Sequence, residues 1–138
     1  MQYFSTNRHS PLTNFREATL RGQPDDLGLY FPSVIPQLSR EFLGDLREMP
    51  NDQIAFEVIK PYVGDAIDEQ SLLIICKETV DLSFPLVDIS ERISTLELFH
   101  GPTLAFKDVG ARFMSRCLRH FAKEADQKTV VIVATSGD

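Results

Sequence analysis

The stretch Glu97-Leu98-Phe99-His100-Gly101-Pro102-Thr103-Leu104-Ala105-Phe106-Lys107-Asp108 joins two kinds of periodicity. Up to Phe99, Thr95-Leu96-Glu97-Leu98-Phe99 alternates as a strand does, as does the earlier Pro85-Leu86-Val87-Asp88-Ile89. Beyond it, Phe106, Val109, Phe113, Cys117 and Phe121 recur at steps of three and four, which predicts a helix with a wide apolar face to about Glu124. Gln127-Lys128 then turns into Val130-Val131-Ile132-Val133-Ala134, an apolar run that reads as a buried strand of a parallel sheet. Strand, helix and strand within about 40 residues form a βαβ unit, whose crossover is right-handed and whose ligand site lies at the carboxyl ends of the strands. The Lys107 turn and the Thr135-Ser136-Gly137-Asp138 loop both follow a strand, so both fall at that edge.

A lysine attacks a carbonyl only when neutral, so a nucleophilic lysine needs desolvation or a nearby positive potential. Phe99, Leu104, Ala105, Phe106 and Val109 offer apolar surroundings, and the first-turn amides of the helix offer a positive end. Gly101-Pro102 supplies a tight turn, and Gly110 leaves space for a flat ring one helical turn on. The competing reading is a solvated helix lysine. Asp108 favours the helix start but also favours a charged lysine. His100 could donate to a substrate phosphate or assist proton transfer, and equally could brace the turn. The amides and hydroxyls of Thr135, Ser136, Gly137 and Asp138 could hold a carboxylate or phosphate. The same loop also reads as a plain strand-to-helix turn with Asp138 as a helix cap.

Upstream, Met1 to Thr6 predicts a short edge strand, and Ser10-Pro11 predicts a helix start, with Leu12, Phe15 and Thr19 on a buried face up to a stop at Gly22. Gln23 to Gly28 forms a polar turn, and the prolines make 29–32 and 35–36 extended. Ser39, Asn51 and Asp68 are the predicted caps of three further helices, the second ended or kinked at Pro61. The third carries Leu72, Leu73, Cys76 and Val80 at helical spacing. The expected class is therefore α/β: a small, mostly helical N-terminal domain over 1–80, then over 81–138 the start of a parallel-sheet βαβ domain. The chain stops just after the last strand delivers its loop, so it reads as truncated, a piece of a longer protein.

The 138 residues carry 14 Lys and Arg against 20 Asp and Glu, a net charge of −6, with the basic residues scattered. That balance argues against a nucleic-acid surface, which needs clustered cations to displace counterions. No apolar run approaches the roughly 20 residues that span a bilayer, and no leader segment is evident. The expectation is a soluble, cytoplasmic protein with no membrane partner. Cys76 and Cys117 both lie within apolar-periodic runs and read as buried thiols. His9 and His120 read as surface or packing residues. No side-chain cluster has metal-ligand spacing, and no glycine-rich phosphate motif is present.

Glu97 to Asp108, continuing Val109-Gly110-Ala111-Arg112-Phe113-Met114, resembles the cofactor-lysine segment of threonine synthases, pyridoxal-phosphate enzymes of the tryptophan-synthase-β fold type (fold type II). Tyr3-Phe4-Ser5-Thr6, Phe15-Arg16-Glu17-Ala18-Thr19-Leu20, Gly28-Leu29-Tyr30-Phe31-Pro32 and Ile35-Pro36 resemble that family's N-terminal domain, and Ala134 to Asp138 resembles its substrate loop. The resemblance is loose between about residues 40 and 95. It implies a pyridoxal 5'-phosphate cofactor held by Lys107 as a Schiff base, Lys107 later shuttling protons, and Thr135 to Asp138 binding the substrate carboxylate. His100, Thr103, Phe106 and Asp108 are further site candidates. The implied reaction converts the small molecule O-phospho-L-homoserine and water to L-threonine and phosphate. Val109 stands where many relatives have an aromatic residue, which changes pocket shape. The family's cofactor-phosphate loop and pyridine-nitrogen partner fall after Asp138, so residues 1–138 alone are expected to be inactive. A related phospholyase and a non-catalytic α/β binding module are the alternatives. Oligomeric state stays open and is compatible with a monomer.

Overall fold

The computed structural model describes residues 1–122 and residue 130. Strand β1 (Gln2–Ser5) lies at the centre of a three-stranded antiparallel sheet, between β2 (Thr13–Asn14) and β3 (Tyr30–Pro32). The register sets Tyr3 opposite Thr13 on one side and opposite Pro32 on the other. Alternation then turns Tyr3 and Ser5 inward, where both are buried. The edge-strand expectation is thus corrected: Thr13–Asn14 and Tyr30–Pro32 close over both sides of β1.

The predicted helix start at Ser10-Pro11 is also corrected, because Ser10 is engaged across a loop. Its amide donates to Asp26 Oδ2 at 3.0 Å, and its hydroxyl accepts the Asp26 amide at 3.2 Å. Asn14 caps α1 (Phe15–Arg21) instead, accepting from the Glu17 amide at 2.9 Å. Gly22, at a φ of 73°, ends it as expected.

Ser39 caps α2 (Arg40–Asp45) and Asp68 caps α4 (Glu69–Thr79) through the Ser71 amide, both as the sequence indicates. Between them, α3 (Asn51–Val63) departs from expectation twice. Asn51 is its first helical residue rather than its cap, since the Pro50 carbonyl accepts the amides of Gln53 and Ile54. Pro61 does not end it either: the helix continues to Val63 and stops at Gly64, whose amide bonds back to the Lys60 carbonyl. Pro61 has no amide to offer the carbonyl four residues back, so the helix forgoes one bond of its ladder there and still continues.

Strands β4 (Leu86–Ser90) and β5 (Ile93–Leu96) form an antiparallel hairpin, with Leu86 opposite Leu96. The Glu97 amide closes its base on the Pro85 carbonyl at 2.9 Å. Helix α5 (Lys107–Ala122) follows. Both sheets among the described residues are antiparallel, with β5 on β4, and the expected parallel pair would need residues that lie outside them. Val130 is exposed and belongs to no strand, and the rest of the predicted strand 130–134 lies outside the described residues.

The core forms where α3, α4 and α5 meet, from Val63, Ile67, Leu72, Ile75, Cys76, Cys117 and Phe121. Phe15 of α1 packs against it, with ring centroids 6.3 Å from both Phe113 and Phe121 and 6.2 Å from Tyr3. Each of these helices turns one apolar stripe to the same point, so burial by long-range contact outweighs the weak propensity of such short helices. Leu73, read as part of that stripe, is exposed instead.

Candidate active site around Lys107

Lys107 is the first residue of α5, and its side chain is exposed. The buried end of α5, at Cys117 and Phe121, lies roughly 15 to 20 Å further along the axis at about 1.5 Å per residue. The core therefore anchors one end of the helix while the lysine stands at the other.

The turn before it is closed by three main-chain hydrogen bonds. The Leu104 amide donates to the Gly101 carbonyl at 3.1 Å, and the Asp108 and Val109 amides donate to the Ala105 and Phe106 carbonyls at 3.2 Å. Bonds three residues apart give a tightened entry into the helix. Leu104 takes a φ of 57°, a left-handed conformation that a branched side chain adopts at a cost of about 1–2 kcal/mol.

Asp108 is 4% exposed, and its Oδ2 accepts the Thr103 amide at 3.0 Å. The carboxylate lies so close to Gly101 that a Cβ there would collide with Oδ2 and stand 2.8 Å from Cγ. Gly101 is thus required by a close approach. His100 Nε2 and Glu97 Oε2 are 2.6 Å apart, and the imidazole stacks on Phe99 with centroids 4.8 Å apart. That engagement ties His100 to its immediate neighbours in the stretch before the turn. Glu97 was not singled out from the sequence, because three-residue spacing brings side chains together on a helix and residues 97–100 are not helical.

The expected apolar enclosure of Lys107 is corrected. Phe99 is 50% exposed, Leu104 75% and Phe106 60%, so these side chains form surface rather than a desolvated pocket among the described residues. A local run of apolar residues shows what needs covering, but not which element covers it. At Gly110 a Cβ would meet nothing within 4 Å, which agrees with open space one turn beyond the lysine. The substrate-loop candidates Thr135, Ser136, Gly137 and Asp138 lie outside the described residues. A cavity of about 550 Å³ lies instead between α3 and α4, lined in part by Lys60, Glu69 and Leu72, with Lys60 paired to Glu69 at 2.6 Å.

Residues 2–80 match the family model described as "Threonine synthase N terminus". The chain belongs to the threonine synthase family. It is 36% identical to threonine synthase from Pseudomonas aeruginosa over its whole length, covering 30% of that relative. Among solved structures it resembles threonine synthase from Escherichia coli, with a TM-score of 0.82 and 30% identity over 88% of this chain and 28% of that one. It likewise resembles PLP-bound threonine synthase from Brucella melitensis, with a TM-score of 0.83 and 33% identity over 90% of this chain and 28% of that one. The chain therefore spans about a third of the length of the relatives it matches.

An exposed primary amine, partly exposed Phe99 and Phe106 rings, and a glycine with open space one turn on suit a flat, carbonyl-bearing cofactor. Among the described residues no helix is long and apolar enough to cross a membrane.

Proposed function

We propose that these residues are the N-terminal part of a threonine synthase that converts O-phospho-L-homoserine and water to L-threonine and phosphate. The observation that carries this reading is Lys107 itself, an exposed amine at the first position of α5, directly after a turn locked by a buried carboxylate. Pyridoxal 5'-phosphate, when bound, supplies the electron sink that makes the substrate's α-proton removable.

Lys107 Nζ would hold that cofactor, and the same amine would take the substrate's α-proton and return protons later in the cycle. The Thr135 to Asp138 loop binds the substrate carboxylate. His100, fixed by Glu97 and stacked on Phe99, keeps the turn in place. Thr103 and Phe106, on either side of Leu104 and Ala105, belong to the wall of the same site.

In the same proposal, residues 1–80 form the N-terminal domain and 81–138 begin the cofactor-binding domain of fold type II. Helix α5 then serves as the joint, since Cys117 and Phe121 share a core with α3 and α4. A cytoplasmic location goes with the two buried, unpaired thiols. Residues 1–138 alone are inactive in this reading, because by family resemblance the cofactor's phosphate loop comes later in the sequence.

The test is borohydride reduction of the full-length, cofactor-loaded protein followed by peptide mapping and product analysis. A pyridoxyl adduct on Lys107 together with threonine formation is expected. An adduct on another lysine refutes the site, and a ketoacid product assigns a phospholyase instead. Absence of any adduct leaves the non-catalytic module. Tight stoichiometric cofactor binding by residues 1–138 refutes the claim that the phosphate loop lies elsewhere.

A further inference from the structure

The Asp108 carboxylate is the most deeply buried charged group near the lysine, and it sits one residue away on the same helical turn. Burying a carboxylate is costly unless it is well bonded, so a fold that keeps one at 4% exposure uses its bonds for something. Here its reach is specific. Oδ2 crosses back over five residues to the Thr103 amide, and the group fills the space that a Cβ at Gly101 would occupy. Leu104, in the loop between Thr103 and Asp108 that this bond closes, is left-handed, a strained state that persists only where neighbours over-determine it.

We propose that Asp108 is the positioning residue of the Lys107 turn. Its carboxylate clamps Gly101 and Thr103 onto the first turn of α5 and thereby sets where the Lys107 amine emerges. The proposal rests on Lys107 being the cofactor lysine. A charged helix-start aspartate with no further role would face solvent near the amides of its own first turn, whereas Asp108 is turned inward to an amide of the preceding loop.

The test uses the full-length, cofactor-loaded protein. Wild type is mapped first by borohydride reduction. Asp108→Ala is expected to lower kcat per loaded site by about tenfold to a hundredfold, with KM within about twofold, because a misplaced reacting group costs rate rather than ground-state binding. Hydrogen exchange at the Thr103 amide should speed up about tenfold in the same variant. Asp108→Asn should recover both readouts to within about threefold, since its amide oxygen still accepts the Thr103 N–H. If Asp108→Ala does not accumulate as folded protein, Gly101→Ala is held to the same criteria, because it displaces the carboxylate without removing it. An adduct on Lys107 with normal kcat per loaded site and normal Thr103 exchange in Asp108→Ala overturns the positioning role alone. An Asp108→Asn variant as impaired as Asp108→Ala also overturns it, in favour of a role for charge. An adduct on a different lysine overturns the Lys107 reading and this proposal together.

Discussion

Arg116 Nε donates to Glu78 Oε2 at 2.7 Å, joining α5 to α4 across 38 residues of sequence. Arg119 reaches the same oxygen at 3.1 Å, and Arg112 donates twice to the Glu78 main-chain carbonyl, at 2.6 and 3.1 Å. Three arginines of the helix that carries Lys107 therefore converge on one residue of α4, in addition to the apolar contacts of Cys117 and Phe121. Partial desolvation works to raise the Glu78 carboxyl pKa, but the bonds and charges of Arg116 and Arg119 outweigh it, and the group is held below its ordinary value. A depressed carboxylate stabilises the fold above its ordinary pKa, and that contribution is lost as pH falls through the folded value. Glu78→Gln should lower the urea midpoint at pH 7 and flatten the loss of stability on acidification, more so at low salt. Arg112→Ala should cost about 1–2 kcal/mol by the same measurement.

A second carboxylate organises the N-terminus. Asp26 accepts the Ser5 hydroxyl at 2.6 Å and the amides of His9, Ser10 and Gly28 at 2.9 to 3.0 Å. Desolvation pushes its pKa up, but these four donors prevail and hold it well below the carboxylate range. Acid unfolding of wild type should steepen as pH falls below about 4, and Asp26→Asn should remove its share of that dependence while lowering the midpoint at neutral pH. Gly28→Ala should destabilise by about 1–3 kcal/mol, because its Cβ would collide with the Ser5 hydroxyl and stand 3.0 Å from the Asn7 amide.

The two thiols should be silent in the folded protein. Burial, helped by their mutual proximity, pushes Cys117 up to about 12, and burial together with Asp52 pushes Cys76 up to about 11. Iodoacetamide at pH 8 should leave both unmodified in native protein and modify both in urea, as read by mass spectrometry. Modification of native protein at the rate of a free thiol would show that the α4–α5 core opens. Leu72→Ala, at a residue 1% exposed in that core, should cost about 2–5 kcal/mol.

Lys107→Ala separates chemistry from folding. The side chain is exposed, so the thermal midpoint of the full-length protein should move by less than about 1 kcal/mol equivalent. Threonine formation should fall by about a thousandfold or more, since the nucleophile and proton carrier are removed together. A variant that keeps activity would return Lys107 to the status of an ordinary helix lysine.

Much of this was legible locally. The caps at Ser39 and Asp68, the stop at Gly22, the helix carrying Phe113, Cys117 and Phe121, and the turn that places Lys107 at its start are set by neighbours a few residues apart. Ser10 was misread because its cap signal was real, but Asp26, 16 residues away, took both of its groups. Glu78 was invisible for the same reason: nothing near it in sequence points to three arginines more than 30 residues on.

The order of the chain by itself determined the helices after Ser39 and Asp68, the burial of both thiols and the place of Lys107 at a helix start, because spacing, glycine and proline act within a turn or two of the backbone. Tertiary structure alone decided that β1 is central, that β5 returns on β4, and that Asp108 turns in to clamp the loop before the lysine. Those outcomes rest on which distant groups satisfy a strand's free edge or a buried carboxylate, and such partners are matched in space rather than along the sequence.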